Sequence, residues 1–108
     1  MGHREQWEHA RLILREAVDR LAAMPRHEIA RWPDWPQIPT IDLNVPGAYS
    51  EFQFTLMKDT LPDGTIRVAV QLYRHRFLGI GSITADGFFV EPTGGVRRFT
   101  EEDTWDLT

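Results

Sequence analysis

Cysteine is absent from the chain of 108 residues. Its absence excludes disulfide bonds, thiol nucleophiles and thiolate metal ligands together. No segment approaches the ~20 consecutive apolar residues of a membrane-spanning helix. The first residues, MGHREQWEHARLILREAV, also lack the uncharged apolar run and small-residue cleavage site of a signal peptide. These absences predict a soluble cytoplasmic protein with no membrane contact.

Positive charge is also scarce, since the formal net charge is −4 and Lys58 is the only lysine beside eleven arginines. Binding to a phosphate backbone requires a clustered positive surface, so a nucleic-acid partner is disfavoured. An acidic protein suits a basic protein partner instead, because complementary charge speeds association. The expected partner is therefore another protein, and the chain is expected to be a monomer or a homodimer.

Recognisable catalytic and cofactor motifs are missing as well. Ser50 and Ser82 do not lie in the G-x-S-x-G context of a nucleophile elbow, and no phosphate-binding loop occurs. Gly79 and Gly81 would need a third glycine at the position of Thr84 to form a dinucleotide fingerprint. The histidines show no metal-ligand spacing: His3, His9, His27 and His75. The sequence therefore predicts no cofactor, no metal and no catalytic residue, although an enzyme assembled from scattered residues stays open.

Residues 4–24 carry apolar side chains at helical spacing, and Pro25 ends the pattern. A heptad seam fits the same positions, but the stripe is wider than the seam of a two-stranded coiled coil. The pattern therefore favours an amphipathic helix on one face of a sheet. Its apolar positions are Trp7, Ala10, Ile13, Leu14, Ala17, Val18, Leu21 and Met24.

A connector rich in tryptophan and proline spans residues 25–48. Pro25 suits the first turn of a short second helix that reaches about Trp32. Trp32 and Trp35 each precede a proline, which imposes extended geometry on them. The indoles could form a rigid aromatic platform for a peptide or a base. The sequence favours the alternative, in which both indoles fold back and cap the core.

Residues 49–99 alternate between apolar and polar side chains, which is typical of half-buried strands. Alternation over residues 52–56 and 66–72, separated by the turn sequence LPDGT, predicts an antiparallel hairpin. Ala85, Asp86 and Gly87 predict a second tight turn, between strands near residues 80–84 and 87–91. Residues 92–95 predict a third turn, followed by a short edge strand at 96–99.

The fold expected for residues 1–108 is a single α+β domain. An N-terminal amphipathic helix packs on an antiparallel meander sheet of four or five strands. A short helical turn in residues 100–108 follows, because Thr100 precedes acidic residues that suit a helix start. Trp105 is expected to anchor this turn on the domain.

The stretch from Tyr73 to Phe77 places Arg74, His75 and Arg76 between two aromatic residues. Arginines on the core face need partners, so a structural hypothesis pairs them with Asp42, Glu51 or the acids of residues 101–103. A functional hypothesis makes the cluster a site for a small anion or an acidic peptide, with His75 tuning it by pH. The candidate binding residues are Tyr73, Arg74, His75, Arg76, Trp32 and Trp35.

The function predicted from these features is that of a non-catalytic protein-interaction or accessory module. Small, acidic, cysteine-poor chains are common among immunity proteins and inhibitors, which is an analogy of class. The alternative function is a domain that binds a small anion or a nucleotide, with or without catalysis, through the Arg-His-Arg cluster.

Overall fold

A computed structural model describes residues 3–49, 51–75 and 81–104. Within them, four strands form one antiparallel sheet in which each strand lies next to the one that follows it in the chain; two helices precede the strands and one follows them. The α+β prediction, with a meander sheet of four strands, is confirmed. The elements are α1 (His3–Ala22), α2 (Arg26–Ala30), a 3-10 turn (Gly47–Tyr49), β1 (Phe52–Thr60), β2 (Ile66–His75), β3 (Gly81–Val90), β4 (Val96–Arg98) and α3 (Glu101–Thr104).

Helix α1 packs its apolar stripe on β2 and β3. Ala10, Leu14 and Leu21 are buried there, as the helical spacing predicts, and Trp7 packs against the edge of the same core. The helix thus uses its stripe against the sheet rather than as a coiled-coil seam. No helix among the described residues combines the length and the apolar character needed to cross a membrane.

The core lies between α1, the connector and one face of the sheet. Strand register places alternate residues of β1, β2 and β3 on this helix-facing side, opposite one another. Ile29 and Trp32 of the connector complete the cluster. The sheet contributes Phe52, Leu56, Ile66, Val68, Val70, Leu72, Phe88 and Val90.

The turn predicted at Ala85, Asp86 and Gly87 is wrong, because β3 runs without interruption from Gly81 to Val90. Gly87 is needed for close packing and not for a turn. A Cβ atom at Gly87 would lie 2.2 Å from the carbonyl oxygen of Val68 and 2.7 Å from the Phe99 ring. Asp86 is held within the strand by an ion pair with Arg98, so its turn-forming tendency is overridden by tertiary contacts.

The turns predicted around residues 61–65 and 92–95 are present and join β1 to β2 and β3 to β4. Gly64 and Gly94 have φ angles of 90° and 97°, a left-handed conformation that favours glycine. The Asp63 carboxylate accepts a hydrogen bond from the Thr65 N–H at 2.9 Å. Hydrogen bonds from the backbone and then the hydroxyl of Thr65 lower the pKa of Asp63.

Helix α3 begins after Thr100, as the acidic sequence predicts. The Thr100 N–H and hydroxyl donate to Oδ2 of Asp103 at 2.7 and 2.9 Å. These bonds, aided by the nearby charge of Arg97, lower the pKa of Asp103. Asp103 therefore acts as the capping partner of Thr100. The predicted anchor, Trp105, lies outside the described residues.

Candidate functional site

The candidate binding residues that the structure describes lie on different faces and in different segments instead of forming one cluster. Arg74 lies on the helix-facing side of β2, whereas Tyr73 lies on the opposite face. The His75 backbone ends β2 opposite Gly81, and Arg76 lies outside the described residues. Trp32 belongs to the core. Trp35 lies in the connector, beside the far end of β1.

Arg74 is buried, with only 4% of its surface exposed. Its Nη2 donates to Oε1 of Gln6 at 3.0 Å and to Oε1 of Glu51 at 3.2 Å. Its guanidinium carbon also lies 4.9 Å from the centre of the Phe52 ring, close enough for a cation–π contact. The pairing with an acid that the structural hypothesis named is therefore present at Glu51, and Arg74 stays on the core face of a regular strand.

The two tryptophans of the connector have different environments. Trp32 packs in the core, in agreement with the structural interpretation of the sequence. Trp35 is 49% exposed, so the prediction that both indoles cap the core is wrong for this residue. The reason is that the Trp35 N–H donates to the carbonyl oxygen of Lys58 at 2.9 Å, which holds its backbone at the outer edge of β1. Its peptide bond to Pro36 is cis.

Lys58 organises this end of the connector, although the sequence analysis assigned it no role. It is only 4% exposed, and its Nζ lies 2.6 Å from Oδ1 of Asp34. The same ammonium donates to the carbonyl oxygens of Trp32 at 3.1 Å and Ala30 at 3.4 Å. A signal was present, because Lys58 continues the alternation of Phe54 and Leu56, and a lysine on the core face requires acceptors.

An apolar groove of about 410 Å³ lies between the connector and the first half of β1. The Phe52 ring in its wall lies 5.7 Å from Tyr49 and 6.3 Å from Trp7, measured between ring centres. These contacts and the guanidinium of Arg74 fix the position of this wall. The apolar side chains that line the groove are Ile41, Leu43, Val45, Pro46, Tyr49, Phe52 and Phe54.

Asp42 is the charged residue among those described that line this groove. Its Oδ1 accepts a hydrogen bond from the Asn44 N–H at 2.7 Å, and Asn44 adopts a left-handed φ of 56°. Asp42 makes no ion pair with any of the described residues. The groove therefore combines apolar walls with a carboxylate whose charge is available to a ligand.

The outer edge of β1 runs along the same groove. Because the Lys58 carbonyl accepts from Trp35, it points away from β2, and antiparallel alternation directs the N–H and C=O of Phe54 and Leu56 outward as well. Within the described part of the chain, none of these groups of Phe54 and Leu56 has a hydrogen-bond partner. Unpaired groups of this kind are a template for an additional strand.

A second open edge occurs on β3, because β4 pairs only with Phe88 to Val90 and the Phe99 N–H extends this coverage only to the Gly87 carbonyl. The adjacent groove of about 320 Å³ is lined largely by polar groups, including Arg11, Arg98 and Asp86. Arg11 already pairs with Glu8 at 3.5 Å, and Arg98 pairs with both Asp19 and Asp86. This groove therefore offers less apolar surface than the one beside β1, although Arg15, which also lines it, makes no ion pair with any of the described residues.

No cluster of three or more potential metal-ligating side chains occurs within residues 3–49, 51–75 and 81–104. Comparison with known proteins adds no candidate activity: no family model, no curated protein and no solved structure matches the chain.

Proposed function

We propose that the protein is a non-catalytic interaction module that binds another protein through the groove beside β1. The observation that carries this proposal is the apolar groove, which adjoins the unpaired backbone groups of Phe54 and Leu56. Its volume of about 410 Å³ is that of an ordinary ligand pocket. Apolar surface that is left open and rimmed by polar groups commonly marks an interaction site.

Charge favours a partner that carries basic side chains. The chain has a formal net charge of −4, and Asp42 places one carboxylate in the wall of the groove. Complementary charge raises the association rate and disfavours acidic competitors. Association should therefore weaken as salt is added, because added ions screen exposed charges.

The alternative function, anion or nucleotide binding through Arg74, His75 and Arg76, has less support. The Arg74 guanidinium is buried and already contacts Glu51 and Gln6. An anionic ligand would have to displace Glu51 and enter a space that Phe52 occupies. A thermal-shift screen with nucleotides, phosphosugars and carboxylates tests this alternative, since a ligand that binds only the folded state raises the melting temperature. A shift that disappears in Arg74→Ala would favour it.

Gly47 offers a substitution that blocks the groove. It lines the groove, and a Cβ atom built there meets nothing within 4 Å, so a larger side chain is accommodated without a backbone clash. Gly47→Trp is designed to place an indole at the groove, whereas Gly47→Ala adds only a methyl group and serves as the matched control. Thr93→Trp, in the exposed turn between β3 and β4, controls for an added surface tryptophan.

The experiment is affinity capture from the native host with four baits: the wild type and these three variants. The proposal predicts a protein that is captured by the wild type, Gly47→Ala and Thr93→Trp, and is lost with Gly47→Trp. Thermal unfolding of each bait checks that all are folded. A partner that Gly47→Trp retains would contradict binding through the groove, and so would the absence of any protein specific to the wild type.

A further inference from the structure

The backbone geometry points to a particular kind of partner: we infer that it supplies an extended segment that adds to β1 as a further antiparallel or parallel strand. This segment inserts an apolar side chain into the groove and presents an Arg or Lys to Asp42. The inference rests on the proposed function and names the chemical class of its ligand. Strand addition of this kind obtains affinity from main-chain hydrogen bonds and specificity from side-chain pockets.

The available hydrogen bonds define where the segment binds. Phe54 and Leu56 present outward N–H and C=O groups at alternate positions along β1, which is the spacing of a strand partner. At the far end of β1, the outward carbonyl oxygen of Lys58 already accepts a hydrogen bond from the backbone N–H of Trp35, so it cannot pair with an added strand in the same way. The open edge is therefore the stretch from Phe52 to Leu56, and a longer segment would meet the exposed indole of Trp35.

The groove determines which side chains of the segment are apolar. Successive side chains of a strand point to opposite faces of its sheet. Every second residue of the added strand therefore lies on the same side as Phe54, where the groove walls are Ile41 and Leu43. The intervening residues lie beside Gln53 and Thr55 and are expected to be polar.

The carboxylate of Asp42 selects a basic residue. Arg20 of α1 donates to the carbonyl oxygen of Leu43, the neighbour of Asp42, at 2.7 Å and makes no ion pair with Asp42. Asp42 uses one oxygen to accept from Asn44, and a carboxylate has further acceptor positions for a guanidinium or an ammonium. A basic residue next to the inserted apolar side chain would use them.

A phage library of short random peptides tests the inference. Peptides are selected on the wild-type protein after depletion on Gly47→Trp, and the dissociation constants of the enriched peptides are measured by fluorescence anisotropy. The expected peptides carry apolar residues at alternate positions together with Arg or Lys. Asp42→Asn keeps the oxygen that accepts from Asn44 but removes the charge, so we expect it to weaken binding about twofold to fivefold at low salt.

Backbone N-methylation of an enriched peptide distinguishes strand addition from other modes. Methyl groups at alternate backbone nitrogens, the ones that face β1, should weaken binding by about tenfold or more, since each removes a hydrogen bond and introduces a clash. Methyl groups at the intervening nitrogens should change the affinity less than about twofold. A uniform response, or no response, would overturn strand addition.

The remaining outcomes separate this inference from the proposed function. If no peptide is enriched over the Gly47→Trp control, the inference fails, whereas a folded protein captured through the groove would leave the proposed function standing. A parallel selection without the depletion step retains peptides that tolerate Gly47→Trp. If the peptides from that selection all bind Gly47→Trp and the wild type equally, the groove is overturned as the site. Loss of binding in Ile83→Asp, with Gly47→Trp unaffected, would assign the peptide to the open edge of β3 instead.

Discussion

The guanidinium carbon of Arg74 lies 4.9 Å from the centre of the Phe52 ring, on the side of the sheet that faces α1. Phe52 forms part of the groove wall. Arg74 therefore packs against a residue of this wall and stabilises it, although Arg74 itself does not line the groove. Arg74, the central residue of the functional hypothesis, thus affects the groove through its contact with Phe52. Its ion pair with Glu51 and its bond to Gln6 hold the guanidinium in place.

Arg74→Ala is expected to lower the free energy of unfolding by about 1–3 kcal/mol, because it removes a buried stem, a cation–π contact and two hydrogen bonds. Glu51→Gln is the matched control. Since the Glu51 side chain is 54% exposed, we expect a loss of only about 0–1 kcal/mol. Urea denaturation measures both, and equal losses in the two variants would contradict the structural role assigned to Arg74.

Lys58→Met should lower the free energy of unfolding by about 1–3 kcal/mol, because buried carbonyl oxygens of the connector lose their donor. Asp34→Asn should cost only about 0–1 kcal/mol, because Asp34 remains hydrated when its charge is removed. The backbone amide hydrogen of Trp35 should also exchange with solvent faster in Lys58→Met, because the ammonium no longer holds the connector against β1. Unchanged exchange at Trp35 would contradict this anchoring.

Gly87→Ala is expected to destabilise the sheet strongly, at the upper end of the roughly 1–3 kcal/mol typical of overpacking. The added methyl group would meet the carbonyl oxygen of Val68, which belongs to the backbone and cannot move aside. Gly95→Ala is the control, because its Cβ would meet only the flexible carboxylate of Glu91 at 3.2 Å. Thermal unfolding should rank Gly87→Ala well below Gly95→Ala, and a reversed order would refute the packing reason given for Gly87.

Asp63 predicts an acid-dependent contribution to stability. Its pKa is lowered in the folded state from the ordinary value of 3.8, because Thr65 donates to the carboxylate. A carboxyl group whose pKa is lowered in the folded state stabilises the protein at pH values above 3.8. This stabilisation is lost as the pH falls through the lowered pKa. Asp63→Asn should therefore be less stable than the wild type at neutral pH, with the difference shrinking below pH 3.8. Urea denaturation across this range checks it, and a constant difference would contradict it.

Local pattern was sufficient to predict much of the fold. The helical spacing of Leu14 and Leu21 and the period of two from Phe52 onward report directly which face is buried, so they predict the elements and their layers. The turn that composition predicted at Gly87 was wrong. The sequence does not distinguish a glycine that permits close approach of another backbone from a glycine that forms a turn.

The candidate site was less predictable, because its parts come from distant segments. Ile41 and Leu43 lie in a connector without period, and only the folded chain brings them beside Phe52. The predicted meander already places β1 at an edge of the sheet, but spacing along the chain does not show which part of that edge the connector leaves open. For Arg74, the structural hypothesis named Glu51 among its possible acidic partners, whereas nothing in the sequence indicated Gln6, which lies on a distant helix.

Amide hydrogen exchange measured by NMR tests the strand-addition account most directly. In the free protein, the amides of Phe54 and Leu56 should exchange faster than those of Thr55 and Met57, which bond to β2. Addition of a selected peptide should slow exchange at Phe54 and Leu56 and leave Ala85, on the open edge of β3, unchanged. Fast exchange at Phe54 and Leu56 in the presence of saturating peptide would contradict the account.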